Sequence, residues 1–132
     1  MDSVENSTAA TAPQWFIDAC SHKPESHYFS YEGVRLHYLH WPDNASFDAA
    51  KPTLVFFHGF RGHAYWWGFI APFFTKYYNV YALDFSGMGD SDHLGAYVNA
   101  THPVEILAFI EHLGVSTVTA VCHSYAGGRT FR

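Results

Sequence analysis

Short apolar runs alternate along the chain with stretches in which apolar residues recur every three or four positions. "HYFSYEGVRLHYLHW" (27–41) contains two extended runs on either side of Glu32-Gly33, which predicts a hairpin. "PDNASFDAAKP" (42–52) is rich in turn formers and reads as a loop closed by Pro52. "TLVFFHGF" (53–60) is apolar at successive positions, as suits a strand buried on both faces within a parallel sheet. Trp66, Phe69, Ile70, Phe73, Phe74 and Tyr77 then step by three and four, which predicts helix. Pro72 cannot sit inside that helix, so it is expected to open a second short one as its first residue.

"NVYALDF" (79–85) is a second buried strand, followed by the glycine-rich loop "SGMGDSD" (86–92). "HPVEILAFIEHLG" (102–114) has helical spacing, with Pro103 near its start and Gly114 after its end. "STVTAVC" (116–122) is the last strand, and the chain then turns sharply at Ser124. The order β-β-β-α-β-α-β-turn specifies an α/β fold with a largely parallel sheet. Residues 1–26 form a polar tail and lead-in, of which 1–12 are expected to be disordered, and residues 27–132 form the domain.

Composition narrows the classes. A hydrophobic fraction of 48% against 14% charged residues is that of a globular chain. The net charge of −5 argues against a protein that binds nucleic-acid backbones. The two cysteines, Cys20 and Cys122, imply no disulfide framework, and no Cys/His spacing matches a zinc site. The start carries no basic segment followed by an apolar one, and no apolar run is long enough to span a membrane. A soluble cytoplasmic protein is expected, and the Asn-x-Ser/Thr triplets at Asn6, Asn44 and Asn99 read as chance matches.

The chemistry sits at the last corner. A serine hydroxyl is a weak nucleophile that needs a neighbouring base and donors for the oxyanion formed on attack. A tight strand-to-helix turn lifts the hydroxyl clear of its strand and turns backbone N–H groups toward the new charge. The residues two before and two after such a serine must be small, and here they are Cys122 and Ala126.

At this point the chain resembles the α/β-hydrolase superfamily, whose nucleophile elbow is usually Gly-x-Ser-x-Gly. "FFHGF" resembles its strand-end His-Gly, "ALDFSGMGDSD" its Asp-x-x-Gly-x-Gly-x-Ser loop, and "CHSYAGGR" the elbow itself. The resemblance spans residues 27–132 and implies an α/β-hydrolase fold whose mostly parallel sheet is partial and ends at the elbow strand. It implies Ser124 as nucleophile, with the backbone N–H groups of Phe60 and Tyr125 as the oxyanion hole. Serine at the corner disfavours the family's dehalogenases and epoxide hydrolases, which attack with a carboxylate. The implied reaction is hydrolysis of a small ester, thioester or amide, with a small-molecule substrate and no cofactor or metal. A carbon–carbon bond hydrolase using the same serine, and a non-catalytic binding protein on the same fold, are the alternatives.

Cys122 and Ala126 depart from the family's glycines, and Ala126 can also be aligned as an insertion that shifts the following helix by one residue. His58 is expected to anchor its loop by hydrogen bonds, His123 to be structural, and His63 and His93 to lie near the pocket mouth. Asp84 and Ser91 are expected to hold the glycine loop, and the Trp66-Trp67 and Phe73-Phe74 pairs to pack helix on sheet. The family's triad acid and histidine follow later strands and are absent from these 132 residues, so the chain taken alone is expected to be an inactive N-terminal part with "STVTAVC" as an uncovered apolar edge.

Overall fold

The computed structural model describes residues 11–43 and 50–130. Most of the expected polar tail, part of the loop after Pro42, and the triplets at Asn6 and Asn44 lie outside those residues. One sheet organises the described chain. Strands β1 (Glu25–Tyr31), β2 (Val34–Trp41), β3 (Thr53–Phe57), β4 (Asn79–Leu83) and β5 (Thr119–Cys122) lie in the order β1-β2-β4-β3-β5. The first three pair antiparallel, whereas β3 runs parallel to both β4 and β5. The family's mixed, mostly parallel sheet is therefore present.

The hairpin turn is set by Glu32 (φ 49°) and Gly33 (φ 79°). Positive φ at both central residues is what a two-residue hairpin of matching twist demands. All five residues of β3 are buried, as its unbroken apolar run requires of a strand covered on both faces. Its side chains alternate between two cores. Val55 and Phe57 join Phe29, Leu36, Leu83 and the helix residues Ile106 and Phe109 on one face. Leu54 and Phe56 join Leu39, Trp41, Val80 and Trp67 on the other.

The helix on the first face, which we label α2, is Thr101–Leu113; it ends at Gly114 in the left-handed region (φ 72°). A glycine there avoids the strain a side chain would meet. On the opposite face the two helices expected across Trp66–Tyr77, divided at Pro72, are instead short 3₁₀ segments, Ala64–Phe69 and Ala71–Phe74. Bonds such as Ile70 N–H to Trp67 C=O (3.0 Å) and Phe73 N–H to Ile70 C=O (3.1 Å) close over three residues. Pro72, which brings no N–H, is the second residue of the second segment rather than its first. The aromatic pairs divide accordingly. Trp67 packs on Phe56 at 4.7 Å, whereas Trp66 and Phe73 are exposed, contrary to the sheet packing expected of both.

The lead-in contains a helix that the pattern reading did not find: α1, Gln14–Ser21. Its Trp15 and Phe16 rings lie 6.1 Å from Phe73 and 6.2 Å from Phe69. A third helix, α3 (Tyr125–Thr130), follows the elbow. No helix among the described residues is long and apolar enough to cross a membrane.

Candidate active site

Three segments meet at the ends of β3, β4 and β5. The first is the turn after β3. Gly62 N–H donates to Gly59 C=O at 2.9 Å, and Arg61 sits inside this turn at φ 62°. Glycine at 59 has a steric reason. Its φ is not in the left-handed region, but a β-carbon there would lie 2.6 Å from His123 Nδ1. His58 is buried beneath the turn. Its Nδ1–H donates to Gly59 C=O (2.7 Å), and its Nε2 accepts the Phe85 N–H (3.1 Å). With both nitrogens occupied, it acts as an anchor tying β3 to β4.

Burial pushes the His58 imidazole below its ordinary value, although the Gly59 hydrogen bond and nearby Asp84 pull it back up. Burial likewise lowers His40 and His112. A group depressed on folding binds its proton more readily in the unfolded chain, so its stabilisation is present above about pH 6.5 and lost as the pH falls through the folded value. The buried Glu105 carboxyl is raised by desolvation and has the opposite slope, losing stability as the pH rises from the ordinary carboxylate value through its folded one. Urea midpoints at pH 7.5 and 5.5 separate the two. The midpoint of the unsubstituted protein should fall more on acidification than that of His58→Gln, and parallel falls would clear His58 of the effect.

The second segment is the loop after β4, held by a buried network around Asp84. Asp84 Oδ1 accepts the Ala64 N–H (2.6 Å), and Oδ2 accepts the Asp90 N–H (3.0 Å) and the His37 Nδ1–H (2.7 Å). Ser91 donates its hydroxyl to Asp84 C=O (2.7 Å) and accepts the His37 N–H (2.8 Å). Asp84 and Ser91 thus hold the glycine loop, and His37, which the sequence reading did not single out, is their partner. His37, Asp84 and Asp90 place ligand-type atoms within 4.8 Å of one another. The Asp84 oxygens are already spent on three N–H donors, so this cluster is a structural network rather than an open cation site. Gly89 (φ 54°) presses against the same carboxylate, where a β-carbon would clash.

The third segment is the elbow. Ser124 is exposed, lies one residue, His123, beyond the end of β5 and has φ 52°. That conformation costs a non-glycine residue about 1–2 kcal/mol. His123 N–H donates to Phe57 C=O (3.1 Å), while Ala126 and Gly127 N–H donate to the carbonyls of His123 (3.1 Å) and Ser124 (3.0 Å). Ala126 is fully buried within an unbroken α3, so it is a helix residue and not an insertion. His123 stacks on Trp66 at 5.3 Å. Phe60, whose ring is 5.6 Å from that of Tyr125, donates its N–H to no acceptor among the described residues.

A second buried chain links elbow, loop and helix. Tyr125 O–H donates to His102 Nδ1 (2.7 Å), and His102 Nε2–H donates to Ser86 C=O (3.1 Å). Ser86 in turn donates its N–H (2.9 Å) and its hydroxyl to Glu105. Neither His102 nor Glu105 was legible in the sequence. They lie three residues apart on α2, within a run whose helical spacing already explained it as core.

Between the three segments opens a cavity of about 540 Å³, to which Phe60–His63, Ser86–Gly89, His93, Tyr97, His102 and Tyr125 contribute. His63 and His93 are there, as expected for the pocket mouth. Phe60 and Tyr125 line it too, while Ser124 stands beside it and is not part of the lining.

Comparison with known proteins agrees with this architecture. The model of the alpha/beta hydrolase fold family matches residues 52–131. Mouse "Epoxide hydrolase 4" is 31% identical over 98 residues, 72% of this chain but 26% of its own length. The Bacillus subtilis hydrolase YugF is 27% identical over 101 residues, 75% of this chain and 35% of its own. The chain therefore spans about a quarter to a third of these relatives. A haloalkane dehalogenase variant from Bradyrhizobium elkanii superposes with a TM-score of 0.74 at 21% identity, over 83% of this chain and 35% of that one. By the family match, the order of its strands and the corner that β5 makes into α3, this chain belongs to the α/β-hydrolase fold family.

Proposed function

We propose that the protein is a serine hydrolase in which Ser124 attacks the carbonyl of a small ester, thioester or amide. The observation that carries this reading is the backbone of Ser124, a non-glycine residue at φ 52° between a strand and a helix. Strain of that kind persists where the surrounding structure imposes it, and it raises the hydroxyl above the sheet end. The Phe60 and Tyr125 N–H groups are the oxyanion donors in this proposal. The relatives named as epoxide hydrolases support hydrolysis in general; serine at the corner favours an acyl substrate over an epoxide.

A fluorophosphonate probe tests the assignment. It should modify the natural polypeptide that carries residues 1–132, on the peptide containing Ser124. Absence of labelling, with the fold intact by circular dichroism, would favour the non-catalytic binding protein.

The two oxyanion positions differ in what they require. Phe60 contributes through its N–H, and its ring is largely exposed, so Phe60→Leu should label within a few-fold of the unsubstituted rate. Gly59→Val drives side-chain atoms into His123 and should slow labelling on the order of 10²-fold, the scale of a 1 Å misplacement. Equal losses in both variants would assign the Phe60 ring itself to substrate binding.

A further inference from the structure

The charge of the cavity runs against that of the molecule. The chain carries a net −5, yet no Asp or Glu side chain lines this cavity among the described residues, whereas Arg61, His63 and His93 all do. Arg61 forms no ion pair among the described residues, although it is an exposed cation in an acidic protein. It also occupies φ 62° in the turn directly after Phe60, a position where glycine would be unstrained. The two buried acids among the described residues are turned to other partners, Asp84 to Ala64, Asp90 and His37, and Glu105 to Ser86. Phe60, Met88, Tyr97 and Tyr125 give the lining apolar and aromatic surface, while Ser86 and His102, which also line it, are bonded to Glu105 and Tyr125.

We propose that this cavity, lined also by His63 and His93, is an anion subsite in which Arg61 receives a carboxylate or phosphate group of the substrate. A guanidinium presents paired donors that match either oxyanion, and the aromatic surface beside it can hold the body of the substrate. Phe60 and Tyr125 line the same cavity and, in the proposed function, bind the oxyanion, so the charged group lies on the same molecule as the scissile carbonyl. This inference rests on that function for the bond cleaved, but not for the binding.

Binding therefore provides the test, with benzoate, phenyl phosphate and benzyl alcohol as probes of one ring and different charge. In the natural polypeptide carrying residues 1–132, at least one of the two anions should bind about tenfold more tightly than the alcohol, the scale of one charge-assisted hydrogen bond. Preference for benzoate assigns a carboxylate and preference for phenyl phosphate a phosphate. Arg61→Gln should remove the preference and leave benzyl alcohol binding within twofold, and Arg61→Lys should restore part of it. An alcohol that binds as tightly as both anions, or an undiminished preference in Arg61→Gln, overturns the proposal. Measuring the same affinities in Ser124→Ala keeps the two readings apart. Anion preference without fluorophosphonate labelling removes the nucleophile alone, and labelling without preference removes the subsite alone.

Discussion

Ser124→Ala should lower ester turnover by the natural polypeptide on the order of 10⁶-fold, the scale on which a triad hydrolase loses kcat when its nucleophile is removed. The fold should survive, because Ser124 is exposed and its hydroxyl is not among the groups that hold the elbow together. Those groups are backbone: His123 to Phe57, and Ala126 and Gly127 to the carbonyls at the corner. A second substitution separates catalysis from stability. Ser124→Gly relieves the strain at φ 52°, so it should be as inactive as the alanine variant yet more stable by up to about 1 kcal/mol. Kinetics and thermal melts on the two variants decide the point. Hydrolysis near the unsubstituted rate in either one would take Ser124 out of the mechanism.

The largest loss of stability should come from Asp84→Ala. Both Asp84 and His37 are fully buried, and removing the carboxylate strands the His37 Nδ1–H together with the N–H groups of Ala64 and Asp90. A buried donor left without its acceptor costs about 1–3 kcal/mol, so the loss of all three bonds should cost about 3–5 kcal/mol. For domains of ordinary size that corresponds to a melting temperature lower by roughly 6–20 °C. The damage would not stay local, because Asp84 fastens the 3₁₀ segment that follows the Gly59–Gly62 turn to the loop after β4. The turn before that segment and the loop both line the cavity. Asp84→Asn keeps the shape but presents an N–H₂ where acceptors are needed, so its loss should be intermediate. A melting temperature unchanged in Asp84→Ala would show that solvent replaces the carboxylate at little cost.

Much of this is legible in the sequence because the fold's signals are local. The run Leu54–Phe57 is apolar at every position, which suits a strand covered on both faces, and β3 is such a strand. Gly33 and Gly114 stand where positive φ is needed, and both adopt it. The 3₁₀ segments were misread because apolar steps of three fit either helix type. Choosing between them depends on Gly68 and Pro72 interrupting the longer ladder. The helix Gln14–Ser21 was missed because it is short and docks through Trp15 and Phe16 on residues more than fifty positions away. The same holds for His37 and His102. A buried histidine is recognisable only with its partners, and theirs come from distant segments, Asp84 for one and Ser86 with Tyr125 for the other.

The sheet's order has a consequence for where the cavity opens. The chain leaves β3 over one face of the sheet, through the 3₁₀ segments that pack on Leu54 and Phe56, and leaves the neighbouring β4 over the other, through α2 packed on Val55 and Phe57. Connections that part to opposite faces of a parallel pair leave a crevice beyond the ends of the strands. Residues 60–63 and 86–89, which follow β3 and β4, line the cavity at that parting, so its place is set by the winding of the chain before any side chain is chosen.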